Sequence, residues 1–299
     1  MHLRRLARKV APRLHRLGIA AVERTAPVRT ETTGLTYVSQ ICHRDVRSWL
    51  LAIKSIIAGV GPGEITALDD GSLTDADTRL LTGHLPGLKI VPVTNVRTDG
   101  FPKGGTWERL LLILDLTAER YVIQVDADLL ARSPLAEITA AIRGNRGFTL
   151  AGEASAALTS VAAAAARARQ STFDHVQLAA ERVLDQMPGA EGLRYVRGCS
   201  GFAGFPRGSS RDVVAILSAF MTAQLGKRWS AWGSEQVASN FMVSNSGPDP
   251  IVLPWRRYPA FGPQQDVSDA VLIHFIGSFR HDGGVYRRLS REIIRTLPA

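Results

Sequence analysis

Tyr121-Val-Ile-Gln-Val-Asp-Ala-Asp-Leu-Leu130 is an apolar, strand-length run that ends on two carboxylates. A bare Asp-x-Asp decides nothing, because chance supplies roughly one per chain of this length. Position gives this one its meaning. Residues i and i+2 lie on one side of an extended backbone, so Asp126 and Asp128 point the same way from the end of a buried strand. A hard divalent cation wants such oxygen ligands, with open positions left for a diphosphate. The alternative is a pair of solvated turn aspartates.

Upstream of this run, strands and helices alternate. Thr36–Ile41 reads as a buried strand and Val46–Ile57 as an amphipathic helix that ends at Gly59-Val-Gly-Pro-Gly63. Glu64–Leu68 is a second strand, Thr74–Leu81 a helix with Thr74 as N-cap, and Leu88–Val93 a third strand. Thr106–Leu116 is a third helix. Alternation at these lengths predicts βαβ units in a doubly wound, mostly parallel α/β sheet. Ligands in such sheets lie beyond the carboxyl ends of the strands. Cys42-His43, Asp69-Asp70 and Asp126-Ala-Asp128 are therefore expected on one rim. Downstream, the Ala-rich stretch Ala151–Met187 predicts a helical insertion with little strand, spanning about residues 151–190. Later elements are short strands within Tyr195–Arg207, helices at Arg211–Leu225 and within Trp229–Met242, strands near Ile251–Leu253 and Ala270–Phe275, and a basic helix Val285–Leu297.

The 299 residues carry a net charge of +9. Residues 1–33 hold Arg4, Arg5, Arg8, Lys9, Arg13, Arg16, Arg24 and Arg29 against Glu23 and Glu31, a local +6 that leaves only +3 elsewhere. The basicity is mostly an N-terminal arm, which weakens a nucleic-acid reading. Within the arm Leu3, Leu6, Val10, Leu14 and Leu17 recur at helical spacing, with Pro12 predicted to shorten or kink the helix. Such a helix suits an anionic membrane surface; the alternatives are a solvated arm or a helix packed on the main domain. No apolar run has bilayer length, and no secretory signal is read. The two cysteines, Cys42 and Cys199, suit a reducing compartment, so the expected location is cytoplasmic, with peripheral contact at the inner membrane face. Cys199-Ser-Gly-Phe-Ala-Gly204 lacks a matching histidine constellation, and a cysteine hydrolase is rejected. The absence of a P-loop, of GxGxxG after the first strand and of HExxH sets aside NTPases, Rossmann dehydrogenases and zincins.

Tyr121–Leu130 resembles the "YLDAD" metal segment of the retaining family 8 glycosyltransferases, the glycogenin and bacterial lipopolysaccharide galactosyltransferase group. Three further segments agree in order. Lys103 and Thr106–Leu114 resemble the basic residue and helix before that strand. Gly233-Ser-Glu-Gln236 with Asn240 resembles the family's "DQDxxN" run, with Glu235 in place of its first aspartate. Val271-Leu-Ile-His-Phe-Ile-Gly277 resembles the late strand that carries the third metal ligand. The resemblance implies a GT-A fold over residues 34–299 as one catalytic domain, with 34–130 as nucleotide half and 131–299 as acceptor-side half. It implies Asp126, Asp128 and His274 as ligands of Mn²⁺ or Mg²⁺, with Asp126 and Ala127 at the nucleotide sugar. Gln236 is implied near the anomeric carbon, Gly277 near the diphosphate, and a donor-sugar contact in the segment around Gly201. The family's early Asn-Tyr signature is replaced by Cys42-His43-Arg44. Asp69-Asp70-Gly-Ser72 is instead similar to a segment of inverting family 2 transferases.

The bland readings stand beside these. His274 fits an ordinary core histidine, Asp69 and Asp70 fit a turn, and Lys103 fits loop charge. Glu235 and Gln236 fit exposed first-turn residues capped by Ser234, and Trp232 fits either a stacking platform or half-buried packing. The expected function is metal-dependent transfer of a sugar from a nucleoside diphosphate, UDP favoured, to a carbohydrate, lipid-linked or other hydroxyl acceptor. Gln236 cannot act as a base, which favours retention, whereas Glu235 keeps inversion open. The alternatives are a sugar nucleotidyltransferase of the same fold and a basic membrane- or nucleic-acid-binding protein with a degenerate site.

Overall fold

The computed structural model describes residues 2–262 and 264–299, with side chains from Val10 onward. The expected apolar and basic faces at Leu3, Arg4, Arg5, Leu6, Arg8 and Lys9 lie outside the described side chains. Helix α1 (His2–Gly18) runs through Pro12 instead of ending or breaking there. Proline removes one N–H from the helical ladder, and packing holds the turns beyond it. The packed face is not the leucine stripe. His15 and Ile19 are buried, whereas Val10, Leu14 and Leu17 are exposed. His15 stacks on Tyr286 with ring centroids 4.0 Å apart. Burial, with His281, Arg280 and Arg287 nearby, lowers its pKa to about 3, so it packs as a neutral ring.

The chain then alternates as β1 (Leu35–Ile41), α2 (Val46–Val60), β2 (Glu64–Asp69), α3 (Asp75–His84) and β3 (Lys89–Pro92). Strands β1 and β2 are parallel, with Thr36 opposite Glu64 and Ile41 opposite Asp69. All of β1 except Gln40 is buried, as a strand covered on both faces requires. Thr74 caps α3 as expected: its hydroxyl accepts from Asp77 N at 3.2 Å and Asp77 accepts from Thr74 N at 2.9 Å. Next come α4 (Trp107–Leu116), β4 (Tyr121–Val125), β5 (Leu129–Ala131), α5 (Ala136–Arg143) and β6 (Phe148–Ala151). The insertion contains β7 (Thr159–Ser160), α6 (Val161–Arg169) and α7 (Val176–Glu181), with β8 (Arg194–Tyr195) antiparallel to β7. It is thus helical but clipped by a short ladder absent from the sequence reading. Elements β9 (Gly198–Phe205), α8 (Arg211–Leu225), α9 (Ser234–Asn245), β10 (Ile251–Leu253), β11 (Leu272–His274) and α10 (Val285–Thr296) complete the chain.

Seven strands form one mostly parallel sheet, in the order β10-β6-β9-β4-β1-β2-β3. The exception is β9, antiparallel to β6, because the insertion leaves and returns at the same end of the sheet.

Two compact units divide the chain. The first comprises residues 1–91, 125–136 and 254–299. Its small ladder pairs β11 with β5, placing His274 opposite Leu129. The buried Lys54 ties the N-terminal segment into this unit, donating to Thr25 Oγ1 at 2.8 Å and Ala26 O at 2.5 Å. The N-terminal segment is therefore anchored at His15, Thr25 and Ala26, while Arg16 and Leu17 stay exposed.

The second unit comprises residues 92–124 and 137–253. In it Trp107 and Trp229 meet edge to face at 5.6 Å. Gly204 lies so close to the Phe148 ring that an added Cβ would fall 2.3 Å from it.

Candidate functional site

The carboxylate pair occupies the link from β4 to β5 in the first unit, where the backbone leaves one ladder for the next. Phe275 N donates to Asp128 O at 2.9 Å, fixing the end of β11 against this link. His274 Nε2 consequently lies 3.1 Å from Asp128 Oδ1 and 4.0 Å from Asp126 Oδ2. One ligand atom from each of Asp126, Asp128 and His274 lies within 4.8 Å of the others. Two ligands of one octahedral ion stand about 3–4 Å apart when bond lengths are near 2.1 Å, so the spacing needs only small adjustments. Two hard carboxylates and one imidazole suit Mn²⁺ better than Mg²⁺, for which imidazole is a poor ligand. His274 and Asp128 are buried, and Asp126 is half-buried.

Arg280 is the residue that sequence reasoning missed here. Its guanidinium pairs with the Asp128 carboxylate, and its Nε donates to Phe275 O at 2.9 Å. Burial alone would raise the Asp128 carboxyl, but His274 and Arg280 outweigh it and hold it below the usual carboxylate range. Asp128 therefore stays charged at neutral pH, as a candidate metal ligand must. Gly277 turns the chain between His274 and Arg280 with φ +65, a conformation that favours glycine.

Other sequence candidates in the first unit keep local partners. Cys42 Sγ lies 3.4 Å from Asp45 Oδ2, and burial together with that carboxylate raises the thiol pKa. Such a thiol is not activated. His43 Nδ1 is 2.6 Å from Asp77 Oδ2. Asp69 Oδ1 accepts from Gly71 N at 2.8 Å, and Asp70 Oδ1 accepts from Ser72 N at 3.0 Å. Both aspartates thus form the expected turn, Asp69 half-buried and Asp70 exposed.

The second unit holds the remaining candidates. Gly233 caps α9 with φ +100 and no side-chain cap. Ser234 is not the cap expected from sequence; its hydroxyl accepts from the Trp107 indole at 2.9 Å. Glu235 is not an exposed first-turn residue either, at 2% exposure. Its Oε2 accepts from Thr106 at 3.0 Å and Ser200 at 3.2 Å, while its Oε1 lies 3.7 Å from the Arg109 guanidinium. Arg109 was overlooked because it falls inside the apolar run of α4; a charged pair, Glu108-Arg109, in that run was the available signal. Thr106 reaches Glu235 from a left-handed backbone, φ 74, unusual for a β-branched residue. Gln236 is half-buried beside it, and Gly201 is buried within β9. Trp232 is 75% exposed, so the half-buried alternative is set aside. Its ring meets His175 edge-on at 6.0 Å. Lys103 is exposed in the loop before α4.

No protein-family model matches the sequence, and no curated protein matches it. Solved structures do. The bifunctional glycosyltransferase WbbM, in apo form, aligns over 91% of this chain at TM-score 0.55 and 14% identity. This chain spans about half of WbbM, 51% of its length. An active-site mutant of LgtC aligns over 88% of this chain and 96% of its own at TM-score 0.53 and 12% identity. The glycosyltransferase GlyE of Streptococcus pneumoniae TIGR4 aligns over 89% of this chain and 60% of its own, at TM-score 0.51 and 11% identity. The fold is the GT-A glycosyltransferase fold. In this GT-A chain the Asp126–Asp128–His274 cluster lies wholly in the first unit, and the Glu235 cluster lies wholly in the second.

Proposed function

We propose that this chain is a metal-dependent glycosyltransferase that moves a sugar from a nucleoside diphosphate, UDP favoured, to an acceptor hydroxyl. The observation that carries the reading is the Asp126–Asp128–His274 cluster at the end of a buried strand in a GT-A fold. A divalent ion held there, Mn²⁺ before Mg²⁺, supplies Lewis-acid charge to the diphosphate leaving group. Asp126, Asp128 and His274 hold it, and Gly277 gives the backbone close access to the phosphates. Arg280 adds a cationic donor beside Asp128. Asp126 and Ala127 meet the nucleotide sugar, while Cys42, His43, Asp69 and Asp70 line the base and ribose side. Lys103 serves as a phosphate contact, the Gly201 segment as a donor-sugar contact, and Trp232 as an exposed stacking surface.

Retention is favoured over inversion. Glu235 is buried and engaged by Thr106, Ser200 and Arg109, which suits a positioning role for the Gln236 turn better than a base that must meet an acceptor. Gln236 steadies the sugar without taking a proton. A nucleotidyltransferase is disfavoured because Ile41-Cys-His-Arg-Asp45 runs straight into a short 3-10 turn with no glycine-rich loop. In this reading residues 34–299 act as one catalytic domain. The test is a thermal-shift panel. UDP or GDP should raise the melting temperature by a few degrees with Mn²⁺ and not with EDTA, since ligand bound only to the native state stabilises it. Equal shifts in both conditions would remove the metal from the mechanism.

Peripheral membrane contact is proposed for α1, because Val10, Leu14 and Leu17 are exposed, Leu17 at 63%, among basic residues. Among the described residues no helix is long and apolar enough to cross a membrane. Leu14→Glu with Leu17→Glu should lower partitioning to phosphatidylserine-containing vesicles at least about tenfold, as two leucines lose their burial. Unchanged partitioning would leave α1 without a membrane role. Whole-arm deletion is a poorer test, since Ile19 and Val22 belong to the core.

A further inference from the structure

The first unit contains two cavities beneath α1 that the sequence reading did not foresee. One, of about 440 Å³, is lined by Pro12, His15 and Arg16 of α1 together with Arg44, Ser48, Gly277 and Arg280. The second, of about 580 Å³, extends past Arg13 and Arg16 to His43 and Arg47. Arg16 and Arg44 line both. The first cavity adjoins the carboxylate–imidazole cluster, since Arg280 on its wall pairs with Asp128.

Its charge balance is uneven. Asp45 on the wall already faces Arg44 and the Cys42 thiol. In the second cavity Glu23 is paired with Arg47, and Asp77 with His43 and the α3 cap. The acids are therefore occupied, while Arg16 has no ion-pair partner among the described residues. Stacking of His15 on Tyr286 fixes α1 in register, so Arg16 is held over this cavity. Volumes of this order match small-ligand sites in general. Guanidinium groups from two separate segments that line one cavity, next to the carboxylate–imidazole cluster, select a ligand with two or more adjacent phosphoryl charges.

We propose that α1 covers the phosphate end of the donor site and that Arg16 of α1 and Arg44 of the turn after β1 together grip the diphosphate of a nucleoside diphosphate. The assignment rests on the donor reading above, and it makes the N-terminal helix part of the binding site in addition to any membrane role.

Calorimetric titrations with Mn²⁺ present test it, using UDP, GDP, their nucleosides and inorganic pyrophosphate on the full chain. Both arginines are exposed, so Arg16→Ala and Arg44→Ala should fold with unchanged melting temperatures. Each should weaken the preferred diphosphate and pyrophosphate about tenfold, the loss expected for a hydrogen bond to a charged group. Nucleoside binding should not change, and Arg16→Lys should recover part of the loss. Wild-type diphosphate binding that both alanine variants retain would overturn the inference and leave the donor reading standing. Pyrophosphate binding lost in the variants, with no nucleotide bound by wild type, would support the arginine grip and overturn the nucleotide donor. Binding of neither ligand by wild type would overturn both.

Discussion

Asp128→Asn is expected to lower sugar transfer by about three orders of magnitude, matching loss of several kcal/mol of charge stabilisation at the leaving group. Asparagine keeps the volume of the side chain and its hydrogen-bonding oxygen. It removes the charge that the ion and Arg280 both use. Asp126→Asn removes a second charged ligand and should have a comparable effect. The fold should survive both changes. Arg280 is 29% exposed at its side chain and can turn its charge to water, and the Phe275 N–Asp128 O bond involves backbone alone. Circular dichroism and melting temperature would verify this while product formation is measured. Activity within a few-fold of wild type would make the carboxylate pair one of the chance ones.

Glu235 separates structure from chemistry. Glu235→Ala should cost about 3–5 kcal/mol of stability, because it leaves the buried Arg109 guanidinium and the Thr106 and Ser200 hydroxyls with no acceptor at this position. Glu235→Gln should behave differently. The amide oxygen still accepts from Thr106 and Ser200, so the α9 turn that carries Gln236 keeps its place. Measurable transfer should remain, and NMR coupling constants of fresh product should show the donor's anomeric configuration. A base at this position would instead be worth about two to four orders of magnitude. An inverted product together with a dead Glu235→Gln enzyme would move the chain to an inverting mechanism.

How much of this was readable before the structure depends on the kind of signal each residue leaves. The strands up to Val125 announce themselves as apolar runs that give way to polar or turn residues, and their bounds shift by one residue at most. The Asp126–Asp128 pair is visible because spacing and strand end coincide. His274 is invisible to spacing, since it lies far along the chain from Asp128; only its pairing with a late-strand resemblance identifies it. What joins them in space is the β5–β11 ladder, a long-range register that local patterning does not encode.

The misreadings have similar causes. Ser234 has the composition of a cap, but the buried Trp107 indole needs an acceptor and takes its hydroxyl. Glu235 has the composition of a solvated first turn, but Arg109 draws it inward. In α1 the leucine stripe left a membrane surface, a solvated arm and a packed helix open; His15 and Ile19 are buried, and Val10, Leu14 and Leu17 stay exposed. Periodicity marks a face as apolar without saying what covers it.

Metal-dependent sugar transfer is read out by turnover itself, followed by phosphorus NMR on a panel of nucleoside-diphosphate sugars offered with simple hydroxyl acceptors. At least one donor should give up its sugar and leave the nucleoside diphosphate in the presence of Mn²⁺. EDTA or Asp128→Asn should stop this release. Consumption of a donor at the same rate in EDTA, or by the Asp128→Asn variant, would contradict a metal-dependent transfer centred on Asp126, Asp128 and His274.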